Sequence, residues 1–257
     1  MNIIVCVKQV PSTNEVRLDP ETHTIIRDGR QSVINPFDTY GLEEAVQIKE
    51  RLGGKVTVLS MGIPATERLL RDAMSRGADE GVLLTDRAFA GADTLATSYA
   101  LSLGVKQIGD YDLIICGKMA VDGDTAQIGP ELAETLGLPH IADVKKILSV
   151  DETSLTCLKI TDEGEQELQV PLPALITVLK DINMPRLPSI TGVEFSLTAP
   201  CTCFSAQQLE ADTGRTGLNG SPTQVVRTFT PERGGEAQEI AGSLEEQAAK
   251  ILEIIKG

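Results

Sequence analysis

Short apolar runs alternate with amphipathic stretches over the first half of the chain, and this alternation constrains the fold more than any other feature. Runs typical of buried strands lie at residues 3–7, 55–59, 81–84 and 112–116. Stretches typical of helices follow them at residues 40–52, 64–76, 93–107 and 130–136. Such strands, buried on both faces, predict a parallel sheet with helices on both sides. We therefore predict a doubly wound, mostly parallel, Rossmann-like α/β fold.

The rhythm changes in the second half of the chain. Segments 144–150, 155–160 and 167–170 predict a small antiparallel excursion, and residues 174–179 return as a buried strand. From about Met184 onward we expect loop-like structure rich in Ser, Thr, Gly and Pro, followed by a final helix at 244–255. A long stretch without core periodicity is either disordered or wrapped on a partner. We predict an α/β domain over 1–193 and a C-terminal arm over 194–257.

Charge and composition exclude several classes of partner. The chain has 257 residues and a formal net charge of −14, which repels nucleic-acid backbones and anionic lipid surfaces. Aromatic residues make up 3% of the chain and Trp is absent, which argues against a base-stacking surface. No apolar run reaches the length of a membrane span. We expect neither nucleic acid nor stable membrane insertion, and instead a more basic partner protein.

The cysteines and histidines favour no metal site. Five Cys at irregular spacing and only two His give no set of four ligands at zinc-like spacing. The first residues lack the basic region of a signal peptide, and Cys6 and Cys116 lie in apolar runs where a free thiol behaves as a small hydrophobe. We expect a reducing, cytoplasmic location and assign no catalytic residue, because no Ser-His-Asp or Cys-His arrangement can be argued.

Ligands of open parallel sheets bind beyond the carboxyl ends of the strands. The residues that follow the first, second and fourth predicted strands are therefore the candidates, and they include Lys8, Gly62 and the segment 117–127. These three turns could converge on one ligand that spans the sheet edge. A solvated lysine is an equally good interpretation of Lys8.

The segment 117–127 is the most informative of these turns. Gly117 and Gly123 permit close backbone approach, and Thr125 and Gln127 offer hydroxyl and amide donors. The helix that follows presents free N–H groups to an anion. Neither a Gly-Lys-Ser/Thr phosphate loop nor a Gly-x-Gly-x-x-Gly motif is present.

Two carboxylates complicate this turn. Asp122 and Asp124 repel a phosphate unless they point away, cap the helix or bond a ribose hydroxyl. The segment could instead be an ordinary Asp/Gly turn with a helix cap. Local chemistry alone leaves both interpretations open.

Two other helix starts carry similar ambiguity. Thr94 and Thr97 place hydroxyls on one turn after Asp93, which either caps the helix or belongs to a ligand site. Asn35 precedes another helix, where it either forms an Asx turn or bonds a base edge, and Asp38 is expected to cap that helix.

Taken together, several segments resemble the beta (small) subunit of electron-transfer flavoproteins. The resemblance covers roughly residues 1–193 together with 221–224, and its carriers are residues 7–11, 35–38, 91–97, 117–130, 173–178 and 185–190. The most specific block is Asp-Gly-Asp-Thr-Ala-Gln at 122–127.

The resemblance implies a heterodimer with an alpha subunit that holds an exchangeable FAD. The beta subunit of ordinary members binds a structural AMP, whereas members of the electron-bifurcating and nitrogen-fixation-linked branches bind a second FAD. The blocks at 123–127 and 92–97 look like those FAD-binding branches. By this resemblance the isoalloxazine lies near Thr94 and the pyrophosphate on residues 123–127. Strand-end position and resemblance together predict these cofactor contacts: Val7, Lys8, Asn35, Met61, Gly62, Asp93, Thr94, Thr97, Gly117, Gly123, Asp124, Thr125, Ala126 and Gln127.

The segment 186–190 matches the docking loop of the family, with Leu187 and Ile190 as apolar contacts for a dehydrogenase. Small apolar anchors suit the small interfaces of transient electron-transfer complexes. Family members often follow this loop with a basic stretch, whereas this chain has Gly-Val-Glu-Phe-Ser-Leu at 192–197. That departure leaves the identity of the redox partner open.

The function implied is flavin-based electron bifurcation. NADH is the expected electron donor, ferredoxin or flavodoxin one acceptor, and an acyl-CoA or hydroxyacid dehydrogenase the other, reached through the alpha-subunit FAD. One alternative is a non-bifurcating subunit with structural AMP. Another is a stand-alone nucleotide-binding regulatory module, which predicts a stable monomer. A third, an adenylating or pyrophosphatase-type enzyme, requires a metal and ATP turnover.

Overall fold

A computed structural model describes residues 1–12, 32–226 and 239–256 of the chain. The strands are β1 (Asn2–Cys6), β2 (Gln9–Pro11), β3 (Ser32–Ile34), β4 (Lys55–Met61), β5 (Glu80–Leu84), β6 (Leu113–Gly117), β7 (His140–Val150), β8 (Ser154–Thr161), β9 (Gly164–Pro171), β10 (Ala174–Val178) and β11 (Cys201–Phe204). The helices are α1 (Pro36–Leu52), α2 (Glu67–Ser75), α3 (Thr94–Ile108), α4 (Ile128–Leu136), α5 (Ile190–Thr198) and α6 (Leu244–Lys256), with short 3₁₀ turns at Pro64–Thr66 and Arg87–Phe89.

The main sheet has nine strands in the order β11-β5-β4-β1-β6-β10-β7-β8-β9. The chain runs from β1 outward through β4 and β5, and then returns to pair β6 with the other side of β1. All pairs from β11 to β7 are parallel. The prediction of a doubly wound, mostly parallel sheet is therefore confirmed, and its topological switch lies between β1 and β6.

Strand β1 shows why this sheet is covered on both faces. Ile3 and Val5 pack in a cluster that includes α1 and α2, whereas Ile4 and Cys6 pack in a second cluster that includes α3 and α4. Successive side chains of a strand point to opposite faces, so a run of consecutive apolar residues fills both layers.

The predicted antiparallel excursion is β7, β8 and β9. Strand β7 pairs parallel with β10 and antiparallel with β8, which in turn pairs antiparallel with β9. The three strands thus extend the main sheet at one edge. A separate pair of short antiparallel strands, β2 and β3, lies next to the end of β1.

The expectation of loop-like structure after Met184 was wrong for two segments. Residues 190–198 form α5, and β11 adds to the main sheet parallel to β5. A four-residue strand has too little periodicity to stand out in a sequence, and it forms because the edge of β5 offers partners. Gly81 N–H donates to Pro200 O at 2.9 Å, and Thr85 N–H donates to Phe204 O at 2.9 Å.

The described residues belong to two compact units, Met1–Gln224 and Val225–Gly257. The predicted boundary after residue 193 falls inside α5, which belongs with β11 to the first unit. Residues 13–31 of the predicted α/β domain, and 227–238 and 257 of the predicted arm, lie outside the described part. The second unit contains α6, which matches the helix expected at 244–255. Among the described helices, none combines the length and apolar character that crossing a membrane requires.

Candidate nucleotide-binding site

The switch between β1 and β6 brings the predicted ligand turns to one edge of the sheet. Val7 N–H donates to Leu59 O at 2.9 Å, which joins the end of β1 to β4. Asn35 N–H donates to Lys8 O at 2.9 Å, which joins the start of α1 to the residues after β1. Parallel strands end at the same edge, so the turn that follows β6 meets these segments there.

Asn35 and Asp38 form the polar centre of this edge, and both are buried. Asp38 Oδ2 accepts from Lys8 N–H at 2.7 Å, and Asp38 Oδ1 accepts from Asn35 Nδ2 at 3.0 Å. Asn35 Nδ2 also donates to Met119 O at 2.8 Å, while Asn35 Oδ1 accepts from Val121 N–H at 3.1 Å. The Asn35 amide is therefore engaged by the protein itself and positions the turn, rather than facing outward to a base edge.

The prediction that Asp38 caps α1 was wrong. Helix α1 begins at Pro36, with Asn35 at the N-cap position, so Asp38 lies inside the first turn. Proline favours the first helical position because its ring already has helical φ, which moves the start upstream of Asp38. Burial raises the pKa of Asp38 to about 7, although hydrogen bonds from Lys8, Asn35 and Gly117 oppose that rise.

Asp122 points inward and pairs with Lys8. The Lys8 Nζ to Asp122 Oδ1 distance is 2.6 Å, and the Asp122 side chain is 4% exposed. The sequence left three roles for Asp122 beside a phosphate: pointing away, capping the helix or bonding a ribose hydroxyl. The structure shows the first, because the carboxylate points away from the open side of the turn. Asp124 is exposed in the same turn.

The turn before α4 is open on its outer side. Gly123, Asp124, Thr125 and Gln127 are exposed. Gly123 N–H donates to Ala120 O, and Thr125 N–H donates to Gly123 O, both at 3.1 Å. Ala126 has a φ of 55°, which is uncommon for a residue with a side chain. The Gln127 side chain makes no capping hydrogen bond to α4. The N–H groups at the start of α4 therefore face the turn and donate no hydrogen bond to the Gln127 side chain.

The glycines of the candidate site serve different purposes. A Cβ on Gly117 would lie 2.7 Å from Phe37 Cβ and closer still to Asp38 Oδ1, so this glycine is required by packing. A Cβ on Gly62 would lie 2.5 Å from Thr66 Oγ1. A Cβ on Gly123 would meet nothing within 4 Å. Only Gly123 therefore leaves open space beside the turn.

The start of α3 lies beside the start of α4. Thr94 Oγ1 lies 3.1 Å from both Gln127 Oε1 and Glu131 Oε1. Asp93 caps α3 by accepting a hydrogen bond from Ala96 N–H at 3.1 Å. Capping is one of the two roles that the sequence suggests for Asp93. Burial would raise the pKa of Asp93, but hydrogen bonds from Ala96 N–H and Thr223 outweigh it and hold the pKa low.

The remaining predicted cofactor contacts differ in how far they are exposed at the sheet edge. Val7 is a buried core residue, so its side chain does not reach the open edge. Met61 and Gly62 are partly exposed at the end of β4, and Thr97 is partly exposed on the first turn of α3. Sequence reasoning missed Glu131, whose only signal is its position one turn after Gln127, on the face of α4 that meets α3.

The predicted docking contacts lie at the start of α5. Leu187 is 82% exposed and Ile190 is 90% exposed. Ile190 is the first residue of α5, which Ser189 caps by accepting from Gly192 N–H at 2.9 Å. The predicted loop is therefore a loop that leads directly into a capped helix.

Arg186 fixes the base of this docking segment, residues 184–190. Its guanidinium donates to Glu43 Oε2 at 2.9 Å and to Glu50 Oε1 at 2.5 Å, both on α1. Burial would raise the pKa of Glu43, but hydrogen bonds from Arg186 and Gln47 outweigh it and lower the pKa. The Arg76 guanidinium donates to the Arg186 carbonyl, with a distance of 3.1 Å from Nη1 to O.

Within the described ranges, no three His, Cys, Asp or Glu side chains are grouped so that they could hold a metal ion. The donors that are present suit an anionic nucleotide better. Backbone N–H groups at the start of α4, the exposed Thr125 hydroxyl and the Lys8 ammonium lie at the switch edge.

Comparison with known proteins gives one consistent result. Residues 22–200 match the family described as "Electron transfer flavoprotein domain". The chain is 47% identical over 256 residues to an electron transfer flavoprotein subunit beta of Thermoanaerobacterium thermosaccharolyticum, which covers 98% of this chain and 97% of that protein. It is 42% identical over 253 residues to the caffeyl-CoA reductase-Etf complex subunit CarD of Acetobacterium woodii, at 98% and 96% coverage. It is 42% identical over 262 residues to protein FixA of Bradyrhizobium diazoefficiens, at 99% and 91% coverage.

Proposed function

Because the chain belongs to the family of electron transfer flavoprotein beta subunits, we propose that its switch edge binds FAD and that it serves flavin-based electron bifurcation. Membership implies electron transfer as the function and an alpha subunit as the partner. The proposal adds that electrons pass between NADH, ferredoxin or flavodoxin, and a dehydrogenase, by way of the alpha-subunit FAD.

The observation that carries the proposal is the closeness of Thr94 to the turn 123–127. The Thr94 hydroxyl lies 3.1 Å from Gln127 Oε1, and we infer from this closeness that a ligand whose phosphates rest on the turn continues over the start of α3. AMP ends at its single phosphate, whereas FAD continues through a pyrophosphate to a flavin. The closeness of Thr94 to this turn supports the assignment of Thr94 to the portion that only FAD has.

The residues of the chain then have distinct roles. The start of α4 and Thr125 bind the pyrophosphate, and Lys8, balanced by Asp122, sets the local charge. The Thr94 hydroxyl leaves Gln127 and Glu131 to bond the isoalloxazine, and so orients the ring. A bound flavin supplies the redox chemistry, while the protein binds, orients and tunes it.

A dehydrogenase is proposed as the docking partner of Leu187 and Ile190, of the acyl-CoA or hydroxyacid class. The name of the Acetobacterium woodii relative links that protein to an acyl-CoA reductase, which supports the first class. We also propose that the C-terminal part of the chain contacts the alpha subunit, and that the protein works in the cytoplasm, the compartment favoured by its unpaired cysteines.

The decisive experiment counts nucleotides in the purified heterodimer. Two FAD per heterodimer are expected, and Thr125→Val should reduce the count to one by weakening the site in this subunit. Thr202→Val, an exposed threonine on β11, is the matched control and should retain both. One FAD with extractable AMP in the wild type identifies the non-bifurcating alternative. A stable monomer without affinity for an alpha subunit contradicts the heterodimer.

A second measurement addresses the place of the flavin. Thr94→Ala should change the absorption spectrum and reduction potential of one flavin and leave the other unchanged, because a hydrogen bond to the ring alters its electronics. If neither flavin responds, Thr94 does not contact the ring.

A further inference from the structure

Asp38 occupies an unusual position for a carboxylate. The first turn of a surface helix ordinarily exposes its acidic residues to solvent, where they interact with the helix dipole. Asp38 is only 6% exposed and faces the end of the sheet, beneath the turns that surround the candidate site. Burying a carboxylate is costly unless hydrogen bonds replace its water.

The contacts of Asp38 come from three separate segments. One oxygen accepts from Lys8 N–H at 2.7 Å, directly after β1. The other accepts from Asn35 Nδ2 at 3.0 Å, directly before α1. Gly117, at the end of β6, packs so closely against the Asp38 carboxylate that a Cβ at this position would collide with Asp38 Oδ1. These three segments lead into the turns that line the switch edge.

Asn35 links Asp38 to the turn 117–127. The same Nδ2 group that bonds Asp38 donates to Met119 O at 2.8 Å, and the amide oxygen accepts from Val121 N–H at 3.1 Å. The orientation of Asn35 is set by Asp38, because only an acceptor at Asp38 Oδ1 suits the Asn35 NH₂ group. The backbone of 119–121 is thereby held two residues before Gly123.

We propose that Asp38 is a positioning residue for the nucleotide, which fixes the turns after β1 and β6 through the Lys8 N–H group, through its packing against Gly117 and through Asn35. This inference rests on the proposed function, since it concerns the same site. Asp38 itself touches no ligand. Its effect on affinity is transmitted by the geometry of the turn 117–127.

The groups around Asp38 make its ionised form the one that positions best. Lys8 faces it from the end of β1 and Cys116 from β6, with Cys6 beside Cys116 on β1. Asp122 faces the same region through its ion pair with Lys8. An ionised carboxylate accepts on both oxygens, whereas a protonated one turns an O–H toward a donor.

The test is Asp38→Asn in the purified heterodimer. Asparagine has the same shape, but its NH₂ group must face either Lys8 N–H or Asn35 Nδ2. We expect the dissociation constant of the nucleotide to rise about tenfold, as when a buried donor loses its acceptor. The probe is FAD, or AMP if the wild type binds only AMP, and binding is measured by calorimetry after removal of the resident nucleotide.

Asp79→Asn is the matched control. Like Asp38, Asp79 accepts a backbone N–H, in this case from Val56 at 2.8 Å. Asp79 pairs with Lys49 and lies at the amino end of the sheet. We expect Asp79→Asn to lower the melting temperature without changing nucleotide affinity. If both variants weaken binding equally, Asp38 acts only through general stability and the proposal is overturned.

The pH profile provides a readout that a merely structural role would not change. The ratio of wild-type to Asp38→Asn affinity should rise as pH increases through about 7, the pKa of Asp38. Phosphate titration of the ligand cancels in this ratio. Should Asp38→Asn fail to fold, the wild-type FAD affinity alone must still fall below that pH, because the FAD pyrophosphate does not titrate there. A flat profile overturns the proposal.

Failure of this inference can be told apart from failure of the proposed function. A wild type that binds nucleotide as well as Asp38→Asn does at every pH overturns the role of Asp38 and leaves the site intact. A wild type that binds neither FAD nor AMP overturns the site and, with it, the role of Asp38.

Discussion

Two regions depart from the ordinary distribution of polar and apolar residues in opposite ways. One is the candidate nucleotide edge, where the turns after β1 and β6 meet the start of α1, and the other is the predicted docking segment, residues 184–190. At the nucleotide edge, the polar side chains of Asn35 and Asp38 are buried and hydrogen bonded. In the docking segment, the apolar side chains of Leu187 and Ile190 are exposed. A buried polar group and an exposed apolar group are the informative exceptions in a globular protein. The comparison teaches that rigid positioning serves one region and an open apolar surface the other.

Helix α1 connects the two regions. Its first turn contains Asp38, and its later turns contain Glu43 and Glu50, which hold Arg186 at the base of the docking segment. A helix is a rigid element, so the distance between the nucleotide edge and the docking segment is set by one continuous piece of secondary structure.

The largest effect is expected from the pH dependence of stability at Asp38. The pKa of Asp38 is about 7 in the folded protein against a usual value of 3.8, so between those values the folded state retains a proton that the unfolded chain releases. The free energy of unfolding therefore falls as pH rises through this window, by as much as roughly 4 kcal/mol. Asp38→Asn should lack this fall. Urea unfolding of both proteins across the window measures the difference, and parallel curves would contradict a titrating Asp38.

Two glycines of the candidate nucleotide edge, Gly117 and Gly123, differ in the space around them. Gly117→Ala should lower the free energy of unfolding by about 3 kcal/mol, because its Cβ collides with Phe37 and Asp38. Gly123→Ala should change it by less than about 0.5 kcal/mol, since its Cβ meets nothing. Nucleotide titration of Gly123→Ala should nevertheless show weaker binding if the ligand approaches this backbone. Equal stability losses would remove the distinction between the two glycines.

Arg186→Gln should disturb the docking segment with little effect on nucleotide affinity. It leaves Glu43 buried without its guanidinium partner, and we expect a loss of about 1–2 kcal/mol in the free energy of unfolding. The KM for the partner dehydrogenase should rise because the base of the segment is no longer held. Lys145→Gln on β7, which removes an exposed ion pair with Glu165, is the control and should change neither. A fall in nucleotide affinity would instead show that α1 transmits the disturbance.

The smallest stability effect is expected at the exposed apolar residues. Leu187→Ser and Ile190→Ser should each change the free energy of unfolding by less than about 0.5 kcal/mol, because neither side chain is buried. Electron transfer to the dehydrogenase should slow, with KM rising and the flavin spectrum unchanged. Ile160→Ser, which removes an exposed apolar side chain on β8, is the control. Unchanged transfer kinetics in both docking variants would exclude this surface as the docking site.

Much of the fold could be predicted from local patterns. The strands β1, β4, β5 and β6 and the helix α6 follow from apolar periodicity that each segment contains within itself. Helix α5 and strand β11 could not be predicted in this way. The four residues of β11 form a strand because β5 provides an edge, and that edge comes from a distant part of the chain.

The candidate site, like the fold, could be predicted only in part. The sequence indicated which turns meet at the sheet edge, because parallel topology places all strand carboxyl ends together. It did not indicate the direction of Asp38, the inward turn of Asp122 or the contact of Glu131 with Thr94. Their partners lie 30, 114 and 37 residues away along the chain, respectively.

The sequence by itself determined the alternating strands and helices of the parallel core, the topology class and the turns that meet at the sheet edge, because periodicity and turn chemistry act within about a dozen residues. Only the tertiary structure decided which polar groups are buried and which apolar groups remain exposed. Burial is a property of the neighbours that folding brings together, and a hydrogen bond to a buried carboxylate requires a donor from elsewhere in the chain.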